Sequence, residues 1–455
     1  MVVKEKGSQD GKEPDQGSAP TPDGGDTISR RTVRLAWSIF IGMLASLALQ
    51  VWTVAFIGWQ GSDALYVRSV YAPVGFVTLA VTEGLIVSAQ VAAGVMARNG
   101  GRDRALQAVP TFLYAGAGLL ALTAVTFLVV PGPLTGLLGV PAEHRTTVVA
   151  FIVLTSVSSA FGLVPTLAGA ALRGVGQAGV SSALGVAFAL LSALAMVGLD
   201  MITDLGVYIV PIAGFGATLI VGAVTAVLLP RYGLTVPSWK ATRDAVGWLT
   251  GVALPVAGTF LLLSTVSLGY LRVLRGAEEF EITGFSLGQM IQTFTMVAAL
   301  AIGSGAAIAV TTREGEDRAA LAQEGMRALL RVVFPVYALI AAVTFFLRGP
   351  VTDLFTDDEA VAAVARDFQA WVGPTLLLFG ATLALITYLE QVGHARAAFL
   401  LNLSYFAILL SVAFLLPEPV SGHDLSVLLA VGNVVGFGTL MVSTWLLVRR
   451  PVNSG

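Results

Sequence analysis

Twelve apolar runs, each long enough to cross a bilayer as a helix, constrain what this sequence can fold into. A span needs about 20 apolar residues, because a helix rises about 1.5 Å per residue and the hydrocarbon layer is roughly 30 Å thick. Only 12% of the residues are charged, against about 25% in soluble domains. The sequence therefore predicts an all-α polytopic membrane protein. The runs lie at Val33–Trp59, Val70–Met96, Ala105–Val130, Thr147–Ala170, Ala178–Leu199, Val207–Leu229, Val246–Leu271, Gly284–Thr311, Ala328–Leu347, Phe368–Leu389, Ala397–Leu416 and Leu425–Val448.

The composition argues against several other functions. The chain has no cysteine and a net charge of −2, so thiolate metal sites are excluded and nucleic acid is not an expected partner. The three histidines fall in separate loops, and we expect neither a metal site nor a cofactor. The G-x-G-x-x-G letters of Gly174–Gly179 lie between two membrane helices without a preceding strand, so we interpret them as a tight turn. No hydrolase or nucleotide-binding motif is found, and the chain is not expected to be an enzyme.

The chain divides into a tail, two lobes and a linker. Residues 1–29 are polar and rich in Gly and Pro, which predicts a disordered cytoplasmic tail. Short motifs in the first half of the chain recur 217 residues later in the second half, so that Gly132-Pro133 corresponds to Gly349-Pro350. Because an even number of helices separates the copies, the repeat is parallel. We predict pseudo-symmetric six-helix lobes at 30–229 and 245–449 around a central cavity, joined by a linker at 230–244. The other matched pairs are Thr135/Thr352, Leu137/Leu354, Phe151/Phe368, Leu172/Leu389, Val175/Val392, Gly176/Gly393 and Ala178/Ala395.

Basic residues predict the orientation of the spans. With the N-terminus inside, 20 of the 26 Lys and Arg residues fall on the cytoplasmic side and 6 on the outer side. Lys and Arg are enriched in cytoplasmic loops of membrane proteins. We therefore expect a multi-pass protein of the cytoplasmic membrane with both termini inside, and we expect it to be monomeric.

Glu83 is the one acidic or basic residue near the middle of any predicted span. It lies thirteen residues from each end of the run Val70–Met96. A charge at that depth costs at least about 2.5 kcal/mol, so an ionisable group there indicates a function. The alternative is a protonated Glu83 that holds two helices together by hydrogen bonding. Phe76 and Gln90 share its helical face.

Several motifs, in their order, resemble the multidrug and toxic compound extrusion (MATE) transporters. The turn Ala171–Gly176 resembles the family's L-R-G-x-G turn, and Leu199-Asp200 and Pro211–Ala217 resemble the segments that follow it. In the second half, Gly303–Gly305 and Val351–Asp358 resemble the end of the eighth helix and the segment before the tenth. The resemblance covers about residues 33–448. It implies a twelve-helix antiporter that expels organic, often cationic, compounds in exchange for H⁺ or Na⁺.

The sequence also departs from the family pattern in its carboxylates. Trp52 stands where the first helix of the family often has Asp, and Leu263 and Ser264 stand near the position of the seventh-helix Glu. The tenth helix has only Glu390, at its cytoplasmic end. The resemblance assigns Asp200 to a proton-linked network, in which Met196 replaces the usual Asn. An alternative is that Asp200 is an aspartate at the outer interface.

These observations predict a proton-coupled exporter working by alternating access, with Na⁺ the less favoured ion. Glu83 is the leading proton acceptor and Asp200 the second. The predicted substrate cavity includes Trp52, Phe76, Gln90 and Met196. The expected partners are small organic compounds, including cations, and the lipid bilayer. The alternatives are a flippase for lipid-linked saccharides, which would need cationic residues deep in the cavity, and a membrane scaffold without transport.

Overall fold

The protein forms an all-helical bundle in which each predicted span is a helix. The computed structural model describes residues 28–137, 140–235, 238–313 and 318–448, so most of the predicted tail lies outside the described residues. The long helices are α1 (Ile28–Trp59), α2 (Ser62–Gly100), α3 (Val109–Val129), α4 (Arg145–Gly174), α5 (Ala178–Asp200), α6 (Ile209–Leu228), α7 (Leu254–Val273), α8 (Glu279–Thr311), α9 (Arg318–Phe346), α10 (Glu359–Leu389), α11 (Ala395–Phe414) and α12 (Gly422–Val448).

Helix length and composition, together with one turn inside the longest candidate, agree with the predicted number of spans. By these criteria the described ranges contain 11 candidate spans, of which Glu359–Phe414 is 56 residues long. That span contains both α10 and α11, because Gly393 between them has a φ of 101° and turns the chain. A φ in this region is open to glycine at little steric cost. The described chain therefore has twelve membrane helices.

The two halves of the chain have the same helix packing. In the first lobe α1 packs on α5, α2 on α4, and both α3 and α6 on α4. In the second lobe α7 packs on α11, α8 on α10, and both α9 and α12 on α10. Short helices at Pro131–Leu137 and Arg348–Asp353 occupy matching places, and Thr135 and Thr352 within them are fully buried. The repeat seen in the sequence is thus a repeat of structure, with two pseudo-symmetric lobes.

Helix α8 lies at the centre of the molecule. Alanines, glycines and isoleucines make up most of the buried residues in its C-terminal half. A methyl group added at Gly305 would lie 2.7 Å from the backbone nitrogen of Ala36 in α1, and one at Gly303 would lie 2.6 Å from the carbonyl oxygen of Ala384 in α10. Because small residues let helix backbones approach closely, α8 packs against its own lobe and the other lobe at once.

The segment between the lobes packs on the first lobe. The backbone N–H of Thr242 donates a hydrogen bond to the Thr111 hydroxyl, and the Tyr114 hydroxyl donates one to the carbonyl of Trp239. A short helix, Arg243–Trp248, and a π-helical turn, Leu249–Ala253, then lead into α7. The boundaries predicted for the lobes and the linker stay predictions.

Candidate functional site

The lobes contact each other at the end of the molecule where α1 begins, which we call the inner side. Helix α1 of the first lobe packs on α8 of the second, and α2 packs on α7. The closest approaches are at Gly305, against Ala36, and at Gly84, whose Cα faces the carbonyl oxygen of Ala253. Any side chain at either glycine would hold the backbones apart. Glycine at these positions therefore allows the lobes to close together.

Hydrogen bonds add to this inner contact. The Gln90 amide donates to Oε1 of Gln391 at 2.7 Å, and the Gln391 amide donates to the Ser304 hydroxyl at 2.7 Å. Gln90 and Gln391 are both buried. Nearby, the Ser88 hydroxyl donates to the Trp248 carbonyl at 3.3 Å and the Arg31 guanidinium donates to the Thr312 hydroxyl at 2.8 Å. Among the described helices, the side-chain hydrogen bonds between the lobes all lie on this side.

Further outward, α1 and α8 border an apolar groove. The groove has a volume of about 390 Å³. Its lining consists of Leu44, Leu47, Ala48, Val51, Trp52, Ala55 and Phe294. The Trp52 ring packs edge-on against Trp59 at 5.5 Å between centroids. Its indole N–H is buried and has no hydrogen-bond partner within the described part of the chain. Trp52 thus contributes an aromatic surface to the groove.

Glu83 lies about midway along α2, next to the close approach at Gly84. Its side chain is half-buried, as is that of Arg173 in the last turn of α4. The two groups are opposite in charge and near enough for each to affect the other's ionisation, but they form no ion pair within the described part of the chain. The α2 and α4 backbones meet just inward of this pair, where Gly174 faces the carbonyl oxygen of Gln90. The sequence pattern placed Arg173 in a turn and gave no sign that it lies beside Glu83.

The other predicted site residues lie in different places. Met196 is buried beneath Trp52 with Phe56, Ile209 and Ala213. Phe76 on α2 is exposed. Asp200, the last residue of α5, is exposed and accepts a hydrogen bond of 2.5 Å from the Gln60 amide.

The structure therefore brings Trp52 and Met196 together but keeps Gln90 apart from them, inside the contact between the lobes. The roles proposed for these residues stay predictions.

Glu390 is a buried carboxyl that the sequence analysis did not select. It is 6% exposed, at the inner end of α10, and its Oε1 lies 3.2 Å from the hydroxyl of Thr259 in α7. One signal was available in the sequence: at the repeat offset of 217, Glu390 falls on Arg173. The two lobes thus have a basic and an acidic side chain at matching positions.

The fold is a two-lobed bundle of long apolar helices with an apolar groove between α1 and α8. Comparisons with known proteins show what it is similar to. Residues 255–415 match the MatE family model. No match is found among curated proteins. The resemblance noted in the sequence is confirmed: most of the second lobe matches the MatE family model, and the chain has the fold of solved MATE transporters.

Solved structures agree over nearly the whole length of the chain. The Vibrio cholerae MATE transporter VcmN in its bent form has a TM-score of 0.85 at 20% identity, covering 93% of this chain and 97% of that one. A MATE family transporter of the MOP superfamily in an outward-facing conformation has a TM-score of 0.84 at 15% identity, with 93% and 96% covered. A MOP superfamily transporter from Pyrococcus furiosus, described as having a binding pocket of reverse polarity, has a TM-score of 0.81 at 16% identity, again with 93% and 96% covered.

Proposed function

We propose that this protein exports organic compounds by alternating access of its two lobes, in exchange for protons. The observation that carries the proposal is the position of the contact between the lobes. They touch through glycines and hydrogen bonds on the inner side, while an apolar groove lies between α1 and α8 further outward. In transporters built from two repeats, such a contact on one side is exchanged for a contact on the other as the lobes rock.

The groove favours substrates with a large apolar or aromatic part. Ligand sites in proteins are lined mostly by apolar and aromatic side chains, with few polar groups that fix orientation. Trp52 and Phe294 provide the aromatic surfaces here. A positive charge on the substrate would be attracted to an ionised Glu83, and a proton bound there would remove that attraction. Competition between substrate and proton for one carboxylate is the form of coupling that we propose.

Protons suit Glu83 better than Na⁺, because one carboxylate is enough to bind a proton. No group of three His, Asp or Glu side chains that could hold a metal ion is found among the described residues. A charge in this membrane interior is costly without a countercharge. Arg173 supplies one when the proton leaves. Asp200 is the second candidate, and its side chain is exposed.

The test is substrate uptake into proteoliposomes under an imposed pH gradient. One coupled proton supplies about 1.4 kcal/mol per pH unit, enough for about tenfold substrate accumulation. We expect Glu83→Gln to insert and bind substrate but to lose this accumulation, since glutamine keeps the shape and cannot ionise. Asp200→Asn, the matched control, should lose less. A Na⁺ gradient at equal pH should drive no accumulation.

Three results would contradict the proposal or part of it. Wild-type accumulation by Glu83→Gln would remove Glu83 as the coupling group. Accumulation driven by a Na⁺ gradient alone would mean that Na⁺, and not H⁺, is the coupling ion. Absence of counterflow for every fluorescent organic compound tested, cationic or neutral, in a correctly folded protein would favour the scaffold alternative.

A further inference from the structure

Glu390 lies in the part of the second lobe that closes against the first. It begins the π-helical turn Glu390–His394 between α10 and α11, and this turn packs against α2 and against the π-helical turn before α7. The neighbouring residue, Gln391, makes the hydrogen bond to Gln90 across the lobes. Any movement that separates the lobes on the inner side must therefore break the contact beside Glu390 and admit water to it.

Glu390 has a single hydrogen-bond donor beside it among the described residues. The Thr259 hydroxyl donates to Glu390 Oε1 at 3.2 Å and also lies 3.3 Å from the carbonyl oxygen of Pro255, one helical turn earlier. A hydroxyl has one hydrogen to donate, so an ionised Glu390 would share its one donor with Pro255. A neutral carboxyl is also the form that burial favours.

No countercharge stabilises an ionised Glu390 within the described structure. The elements that pack on its segment bring a small set of titratable groups to this region. These are Glu83 and Arg98 from α2, Tyr388 from α10, His394 from the turn itself and Arg396 from α11, while the inner half of α8 and the turn before α7 bring none. None of them forms an ion pair with Glu390 among the described residues, and Thr259 is its one polar partner. Glu390 differs in this from Glu83, which has Arg173.

We propose that Glu390 is a second proton-binding site, which holds its proton while the lobes are in contact on the inner side and releases it when they separate. On release, the carboxyl O–H bond breaks, the proton passes to water on the inner side, and the carboxylate is hydrated. On closure, a proton from the same water is bound again. The proposal builds on the alternating access proposed above. By linkage, a rise in inner pH favours the separated lobes, because that state binds fewer protons.

Cysteine labelling of the full-length protein in liposomes tests this directly. The chain has no cysteine of its own. Thr311→Cys places a thiol at the inner end of α8, near Gly94 of α2, and Lys240→Cys gives an exposed reference on the linker. The ratio of their maleimide labelling rates cancels the intrinsic pH dependence of the thiol. It is measured from about pH 5 to about pH 9, a range in which buried carboxyls titrate.

With Glu390 present, we expect the ratio to rise at least about threefold with pH, as the population of separated lobes grows. Glu390→Gln should give a low ratio that does not change with pH. Glu324→Gln, an exposed Glu on the inner part of α9, is the matched control and should keep the wild-type profile. If Glu390→Gln does not fold, Glu390→Met is used and should give the same flat profile.

The outcome separates this proposal from the exporter function, because labelling needs neither substrate nor gradient. A flat profile with Glu390 present, or an unchanged profile in Glu390→Gln, overturns the proposal. If the profile survives in Glu390→Gln and is lost in Glu83→Gln, the proton that closes the lobes belongs to Glu83. Loss of ΔpH-driven accumulation in Glu83→Gln is measured separately and tests the exporter function alone.

Discussion

The turn after α4 and the turn after α10 each contain a glycine with a positive φ, but they differ in chemistry. Gly176 and Gly393 have φ values of 86° and 101°, and Leu172 and Leu389 before them are fully buried. Between these residues, Arg173 in one lobe corresponds to Glu390 in the other. Arg173 interacts with Glu83 in its own lobe, whereas Glu390 contacts a hydroxyl. The repeat thus preserves the glycine that the turn needs, while the side chain three residues before it is basic in one lobe and acidic in the other.

The two turns should differ most in the loss of stability when Arg173 or Glu390 is replaced. Arg173→Met leaves Glu83 without its electrostatic partner and should lower the free energy of unfolding by about 1–3 kcal/mol. Glu390→Met should cost less than about 1 kcal/mol, because the Thr259 hydroxyl left behind can still donate to the carbonyl oxygen of Pro255 and is not left unpaired. Unfolding of the purified variants in mixed micelles measures both.

Arg173→Lys is the control for this pair. It keeps the positive charge and should recover most of the loss. If Glu390→Met is the more destabilising change, then Glu390 is held by charge interactions like those of Arg173, and the contrast between the lobes is wrong.

The shared backbone of the turns can be tested at their glycines. Gly176→Ala and Gly393→Ala should each lower stability by about 1–2 kcal/mol, because an L side chain is strained in this region. Steric overlap does not explain the effect at Gly176, where an added methyl group would be 3.8 Å from Arg31. Thermal melting of the two variants should therefore give similar losses.

Gly185→Ala serves as the reference for these melts. Gly185 lies within α5 with open space around its Cα, so alanine there should be neutral or stabilising by about 0.5 kcal/mol. Unequal losses at Gly176 and Gly393 would mean that the two turns do not share one conformation in the membrane.

The smallest expected effect concerns Thr259. Thr259→Val keeps the shape and removes the hydroxyl near Glu390, which should lower stability by about 0.6 kcal/mol, the average for a hydrogen bond between membrane helices. Comparison with Thr265→Val, an exposed residue of the same helix whose hydroxyl bonds to its own backbone, removes the effect of the substitution itself. A loss at Thr259 no larger than that at Thr265 would argue against a hydrogen bond to Glu390.

Much of the fold, and less of the site, followed from the sequence. The apolar runs gave the twelve helices, and the offset of 217 gave the paired lobes and the matched turns at Gly176 and Gly393. Gln90 illustrates what the pattern missed. Periodicity put it on one face of α2 with Glu83 and Phe76, which suggested a cavity wall. In the structure this face is exposed at Phe76 and buried in the lobe contact at Gln90.

The sequence by itself determined the helices, since a chain in lipid must satisfy its backbone hydrogen bonds within each span, and an apolar run of sufficient length is enough to require a helix. Which side chains meet was decided only by the tertiary structure. The Gln90–Gln391 hydrogen bond joins residues 301 positions apart. It forms because helices cross closely at Gly84, Gly174 and Gly305. How closely two helices approach depends on the shapes of both, and the sequence periodicity of one helix does not contain that information.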